Sequence, residues 1–250
     1  MHFKKAVPNS ITTLNLLCGT LAIILAFKGL QLWSVYLILA AAVFDFFDGF
    51  AARILKAYSP MGKELDSLAD LVSFGLAPTI LVYYRFQDYT SQFSTGNMES
   101  AWISVLTLIP VLITLASALR LAKFNVDTRQ SENFIGVPTP ANALLIVMFL
   151  HYTTFNPQFD YLYENLWFFP LLSVILSYLL ICNIPMFSVK FKNMGWKGNE
   201  IRYLFLIFTV LILPIVIITK ATWSLWLLLV FSLYIITNIF SFIFSTLKSK

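Results

Sequence analysis

The chain has 250 residues, of which 59% are hydrophobic and only 12% charged, where soluble domains carry about 25% charge. Its net charge is +5, and its two cysteines, Cys18 and Cys182, both fall inside apolar segments. These figures exclude a soluble enzyme, a disulfide-built module and a zinc site, and they argue against nucleic acid as a partner, because topology-setting charge explains the basic excess more simply.

Apolar runs of the length that reads as a membrane span, about 18 residues or more, predict an all-α polytopic bundle of eight spans. They lie near 9–27, 31–56, 64–85, 101–122, 139–155, 164–184, 201–219 and 222–245. The start, "MHFKK" followed by an apolar run, mimics a signal peptide. The run from Ile11 to Phe27 lacks a small-residue cleavage pattern and is read as the first span. The fifth predicted span is short and opens on "PTPAN". His151 near its far end carries no metal spacing and is expected at the outer interface. The seventh and eighth contain no acidic residue, although Lys197 and Arg202 at their inner edge suit anionic headgroups. With the N-terminus inside, the outer segments carry only Lys28, Arg85 and Lys220. The other fourteen of the 17 basic residues fall inside, so both termini are expected in the cytoplasm.

The inner end of the second predicted span and the start of the third hold "DFFDGFAARILKAYSPMGKELDSLAD", residues 45–70, with four aspartates. An acid at the centre of a spanning helix costs about 2.5–3.5 kcal/mol on insertion scales, so these need compensation. Asp45, Asp48 and Ala52 share one helical face, and Asp66, Asp70 and Ser73 share another. Ser59 suits an N-cap and Pro60 the first helical position, so a tight turn makes the two helices antiparallel neighbours whose acidic faces converge. With only oxygen donors at hand, the favoured ions are hard: Mg²⁺, Mn²⁺ or Ca²⁺. Two rival readings place the acids at wet helix ends, paired with Arg53, Lys56 and Lys63, or along an ion or proton path. The second has no use for Gly49, Ala52 and Gly62. Those small residues leave room for a flat group, and Arg53 can fork onto phosphate oxygens, which together describe a diphosphate site clamped by two metals.

The pattern Asp45-x2-Asp48-Gly49-x2-Ala52-Arg53-x8-Gly62-x3-Asp66-x3-Asp70 resembles, at every fixed position, the signature of the CDP-alcohol phosphatidyltransferases. The resemblance covers about a tenth of the chain. It implies two divalent ions on Asp45, Asp48, Asp66 and Asp70, with Asp70 also the base for the acceptor alcohol. It implies a CDP-lipid pocket lined by Asn9, Gly49, Ala52, Arg53, Ser59 and Gly62.

Two further stretches bear on the acceptor. "VPNSITTLNLLCGTLAI" is similar to the first helix of the phosphatidylserine synthase branch at Pro8, Asn9, Thr12, Asn15, Cys18 and Gly19. "RLAKFNVDTRQSENFIGVPTPAN", residues 120–142, resembles that branch's inner loop, with Lys123 in place of an expected arginine. Serine brings a carboxylate and an ammonium, which Arg120, Lys123, Asn125 and Arg129 are expected to meet, with bidentate pairing favouring the arginines. The resemblance therefore implies phosphatidyl transfer from CDP-diacylglycerol to L-serine, in the cytoplasmic membrane, by a protein that contacts membrane lipids and forms a homodimer. The alternative is a sibling enzyme using glycerol 3-phosphate, inositol phosphate or choline. One membrane domain is expected over 1–250, its catalytic core at about 1–185 and two added spans at about 200–246.

Overall fold

The computed structural model describes residues 2–91, 99–127, 134–163, 165–187, 195–196 and 199–248. Arg129 and Lys197, both named above, lie outside them. The first two helices, α1 (His2–Phe27) and α2 (Gln31–Ile54), form an antiparallel hairpin. Its turn is closed by Gly29 at φ 75°, a left-handed conformation that glycine adopts without a Cβ penalty. The Ser34 hydroxyl donates to the Ala22 carbonyl at 2.7 Å and ties the two helices at that end.

After α2 the chain turns through Lys56 and enters α3 (Pro60–Asp70). The predicted cap forms there: the Ser59 side chain accepts from the Gly62 N–H at 3.0 Å with Pro60 at the first turn. From Asp70 the helix widens into a π-helical turn, Leu71–Leu76, before continuing as α4 (Ala77–Thr90). Such turns are rare and cluster at functional sites. Here the Thr79 hydroxyl donates to the Gly75 carbonyl at 2.8 Å, with Thr114 of a neighbouring helix at 3.4 Å. The widened turn sits against α1, where the Ser73 hydroxyl donates to the Asn15 carbonyl at 3.0 Å.

The predicted fourth span is two helices, α5 (Glu99–Thr107) and α6 (Val111–Val126). Pro110, which lacks an N–H, stands at the break. Then come α7 (Thr139–Thr154), a 3-10 segment Pro157–Leu162, α8 (Phe168–Ile181), α9 (Glu200–Ile218) and α10 (Trp223–Lys248). Two short strands, absent from the sequence reading, pair antiparallel: β1 (Phe134–Ile135) with β2 (Pro185–Met186), in register Phe134 to Met186.

Helices occupy all eight predicted stretches. Among the described residues, six helical stretches are long and apolar enough to cross a membrane: 5–27, 31–54, 60–90, 101–126, 200–218 and 223–244. The fifth predicted span is short, as its sequence indicates, at 16 residues, and the sixth is shorter than expected, at 14, or about 24 and 21 Å of helix. Proline sets one of these ends, since Pro138 and Pro140 bracket the start of α7. The core is built on Ile38, Phe74, Leu81, Phe86, Met148 and Phe169, all fully buried. The outward face is equally apolar, with Val210, Ile217 and Ile218 of α9 left 65–79% exposed. Lipid tails suit such a face, and helices satisfy their own backbone groups in that solvent. The chain is an integral membrane protein. His151, near the end of α7, is buried within the protein: it is 2% exposed, with its ring 4.6 Å from that of Trp223 and 4.8 Å from that of Phe155.

Candidate active site

The α2–α3 turn brings the acidic faces together as the spacing predicts. Asp45, Asp48 and Asp66 each present an oxygen, and the three lie within 4.8 Å of one another. Asp48 is 5% exposed and its Oδ2 has no hydrogen-bond partner. Like charges at such separations repel by about 3–4 kcal/mol per pair in a medium of effective dielectric near 20. An unpartnered carboxylate oxygen held there suits a cation. Ion–oxygen bonds of about 2.0–2.6 Å allow one ion between oxygens 4.8 Å apart, so the all-oxygen set fits a hard divalent metal.

Asp70 stands one turn beyond Asp66 and is 8% exposed. Asn15 of α1 donates to its Oδ1 at 3.5 Å, and the Asp45 carboxyl lies within hydrogen-bonding reach. It therefore borders the other three through Asp45.

Beside the carboxylates opens a cavity of about 540 Å³. Of the residues expected to hold a CDP-lipid, Asn9, Gly49, Ala52, Ser59 and Gly62 line it, together with Asp48 and Asp66. A Cβ built on Gly49 meets nothing within 4 Å, while one on Gly62 would stand 3.0 Å from both Asn9 Oδ1 and Ser59 Oγ. Gly49 thus leaves floor space, and Gly62 lets the α1 and α3 ends approach. Arg53 behaves differently from the expectation. Its Nε donates to the Gly49 carbonyl of its own helix at 3.0 Å, and it is not among the lining residues. Tyr58 and Lys63 do line the cavity, although the sequence reading gave Tyr58 no role and Lys63 only an ion pair. Their position flanking the capped turn was the available signal.

The expected acceptor residues divide. Arg120 is 6% exposed deep in α6. Its Nη1 donates to Thr139 Oγ1 at 3.0 Å, its Nε has no partner, and Asp70 lies within electrostatic reach. Lys123 donates to Asn183 Oδ1 at 2.8 Å. Asn125 ties α6 to α3, donating from Nδ2 to Ser67 Oγ at 2.9 Å while its carbonyl accepts from Lys63 Nζ at 2.9 Å. A further residue was missed: Asn142, one turn after Thr139, is fully buried with neither amide atom partnered. It stands in the quoted "PTPAN", where an asparagine in a helix start reads as ordinary.

The relatives bear on the same residues. Three proteins named CDP-diacylglycerol–serine O-phosphatidyltransferase are similar to this chain. The one from Mycobacterium leprae (strain TN) is 37% identical over 190 residues, 73% of this chain and 58% of that protein. The Bacillus subtilis (strain 168) protein is 38% identical over 152 residues, 60% of this chain and 77% of its own. The Helicobacter pylori (strain ATCC 700392 / 26695) protein is 30% identical over 193 residues, 76% and 74% respectively. The matched part therefore spans under two thirds of the first protein and about three quarters of the other two. The family described as CDP-alcohol phosphatidyltransferase matches residues 5–181. With that match running over more than half of its length and through all four aspartates, the chain belongs to the CDP-alcohol phosphatidyltransferase family.

Proposed function

We propose that this chain transfers a phosphatidyl group from CDP-diacylglycerol to L-serine, giving phosphatidylserine and CMP. The observation that carries the reading is a pair of neighbouring features. Asp48 and Asp66, two of three converging carboxylates, line a nucleotide-sized cavity, and a buried arginine with an unpartnered nitrogen lies within electrostatic reach of the fourth, Asp70. The names of the relatives support serine as the acceptor.

Asp45, Asp48 and Asp66 hold two divalent ions, Mg²⁺ or Mn²⁺ with Ca²⁺ a further fit, and Asp70 completes the set. Bound there, such ions supply positive charge to the diphosphate oxygens and to the departing phosphate. Asn9, Gly49, Ala52, Ser59 and Gly62 shape the space for the cytidine diphosphate, while the acyl tails stay among membrane lipids. Arg53, exposed at the rim, turns from the Gly49 carbonyl onto a phosphate. Arg120 takes the serine carboxylate, with Lys123, Asn125 and Arg129 as further serine-binding residues. The Asp70 carboxylate accepts the proton from the serine hydroxyl. The hydroxyl oxygen then bonds to the phosphorus bearing diacylglycerol, and the bond from that phosphorus to CMP breaks. A base of this kind contributes about 10²–10⁴-fold, and alignment of the hydroxyl contributes more.

The bundle sits in the cytoplasmic membrane with eight helical segments, both termini and the aspartates facing the cytoplasm, as the lysine and arginine distribution supports. The unit functions as a homodimer. Residues 1–185 form its catalytic core, and α9 and α10 are additions to it. The test is an acceptor assay: purified protein with CDP-diacylglycerol, Mn²⁺ or Mg²⁺ and labelled serine. Labelled phosphatidylserine is expected. Product from glycerol 3-phosphate but not from serine would assign the chain to a sibling activity.

A further inference from the structure

α10 lies wholly beyond residues 5–181, the part matched to the family. Within this apolar helix, Tyr234 and Asn238 stand one turn apart and are 6% and 2% exposed. Both act on one residue of another segment. The Phe187 N–H donates to Asn238 Oδ1 at 2.7 Å, and the Tyr234 hydroxyl donates to the Phe187 carbonyl at 3.1 Å. Asn238 is fixed in turn by donating from Nδ2 to the Tyr234 carbonyl at 2.7 Å. A helix that only filled space against lipid would have no need of these groups, since polar side chains inside a membrane are costly without a role.

Phe187 directly follows β2, and β2 pairs with β1. A ladder of two residues has little stability of its own. This one is held by its surroundings: the Gly136 N–H donates to the Ile184 carbonyl and the Val137 N–H to the Leu179 carbonyl, each at 2.9 Å. Phe134 of β1 forms a wall of the Arg120 site. The guanidinium carbon lies 5.9 Å from the Phe134 ring and 5.7 Å from the Phe124 ring, whose centroids are 6.0 Å apart. The Tyr234 side chain is itself within electrostatic reach of Arg120.

We infer that Tyr234 and Asn238 are positioning residues for the acceptor: α10 grips both backbone groups of Phe187, steadies the β1–β2 ladder and so holds Arg120 in its receiving orientation. The inference rests on the proposed role of Arg120 in binding the acceptor. Neither residue touches substrate; each works through Phe187 and Phe134.

Tyr234→Phe in the full chain keeps the ring against Phe187 and Phe205 and removes only the hydroxyl. Losing one hydrogen bond of ordinary strength predicts a serine KM raised about fivefold. The KM for CDP-diacylglycerol and kcat should stay within about twofold. Hydrogen exchange at Phe187 and Gly136 should quicken by a similar factor, and Asn238→Leu should behave alike. Equal increases in both KM values, or unchanged serine KM with unchanged exchange, would overturn the inference. If the wild-type protein makes no phosphatidylserine, the proposed function fails separately. The exchange rates then decide alone: quicker exchange in Tyr234→Phe upholds the grip of α10, and unchanged exchange overturns it.

Discussion

Gly49 and Asp70 show how much of the proposed site depends on single side chains. Because a Cβ at Gly49 meets nothing within 4 Å, Gly49→Ala is accommodated by the folded protein, and it removes a helix-interior glycine that costs about 0.8–1.0 kcal/mol relative to alanine. The variant is expected to melt no lower than wild type yet to show a raised KM for CDP-diacylglycerol; an unchanged KM would show that the nucleotide does not use that floor. Asp70→Asn keeps the shape and removes the proton acceptor, so turnover should fall at least about 10²-fold while CDP-lipid binding survives. Turnover measured beside equilibrium binding of a CDP-lipid separates the two effects, and full activity would remove Asp70 as the base. The aspartates were legible in the sequence because spacings of three and four residues fix a helical face whatever surrounds it. Arg53 was not: a long flexible side chain reaches either the cavity or its own backbone, and here it rests on the Gly49 carbonyl. Asn142 escaped notice because its lack of partners is a property of what packs around it.

Among the helices, α1 and the π-helical turn approach closely at Gly19. A Cβ on Gly19 would stand 2.7 Å from the Ser73 backbone, which cannot yield as a side-chain tip can. Gly19→Ala should therefore push the turn that follows Asp70 away from α1 and cost about 1–3 kcal/mol, read as a lowered Tm in detergent together with lost activity. A Tm unchanged from wild type would mean that the contact yields freely. Capping was readable in advance, since Ser59 and Pro60 carry their own geometry. The break between α5 and α6 was hidden because hydropathy runs straight across Pro110. The β1–β2 ladder was hidden for another reason: two residues are too few to show a period of two, and their pairing joins segments about fifty residues apart.

The molecule as a whole places a cluster of carboxylates inside an apolar bundle, and the proposed divalent ions would offset the cost of burying them. The lysine and arginine asymmetry predicts that cysteines introduced at Lys28 and Lys220 react with an impermeant reagent from outside intact cells, while one at Lys56 does not. The opposite pattern would invert the bundle and remove the aspartates from the cytoplasmic face. The helical stretches were legible here through composition, and the shortness of α7 through its opening prolines, whereas the shortness of α8 is not registered by hydropathy. Everything in the proposed chemistry depends on the carboxylates of α2 and α3 binding divalent metal. The direct measurement is a Mn²⁺ titration of the purified protein in detergent, with free ion counted by electron paramagnetic resonance. Two saturable ions per chain are expected, with binding weakened at least tenfold in Asp45→Ala and in Asp66→Ala; no saturable binding, or the same binding in both variants, would contradict a metal site built from these aspartates.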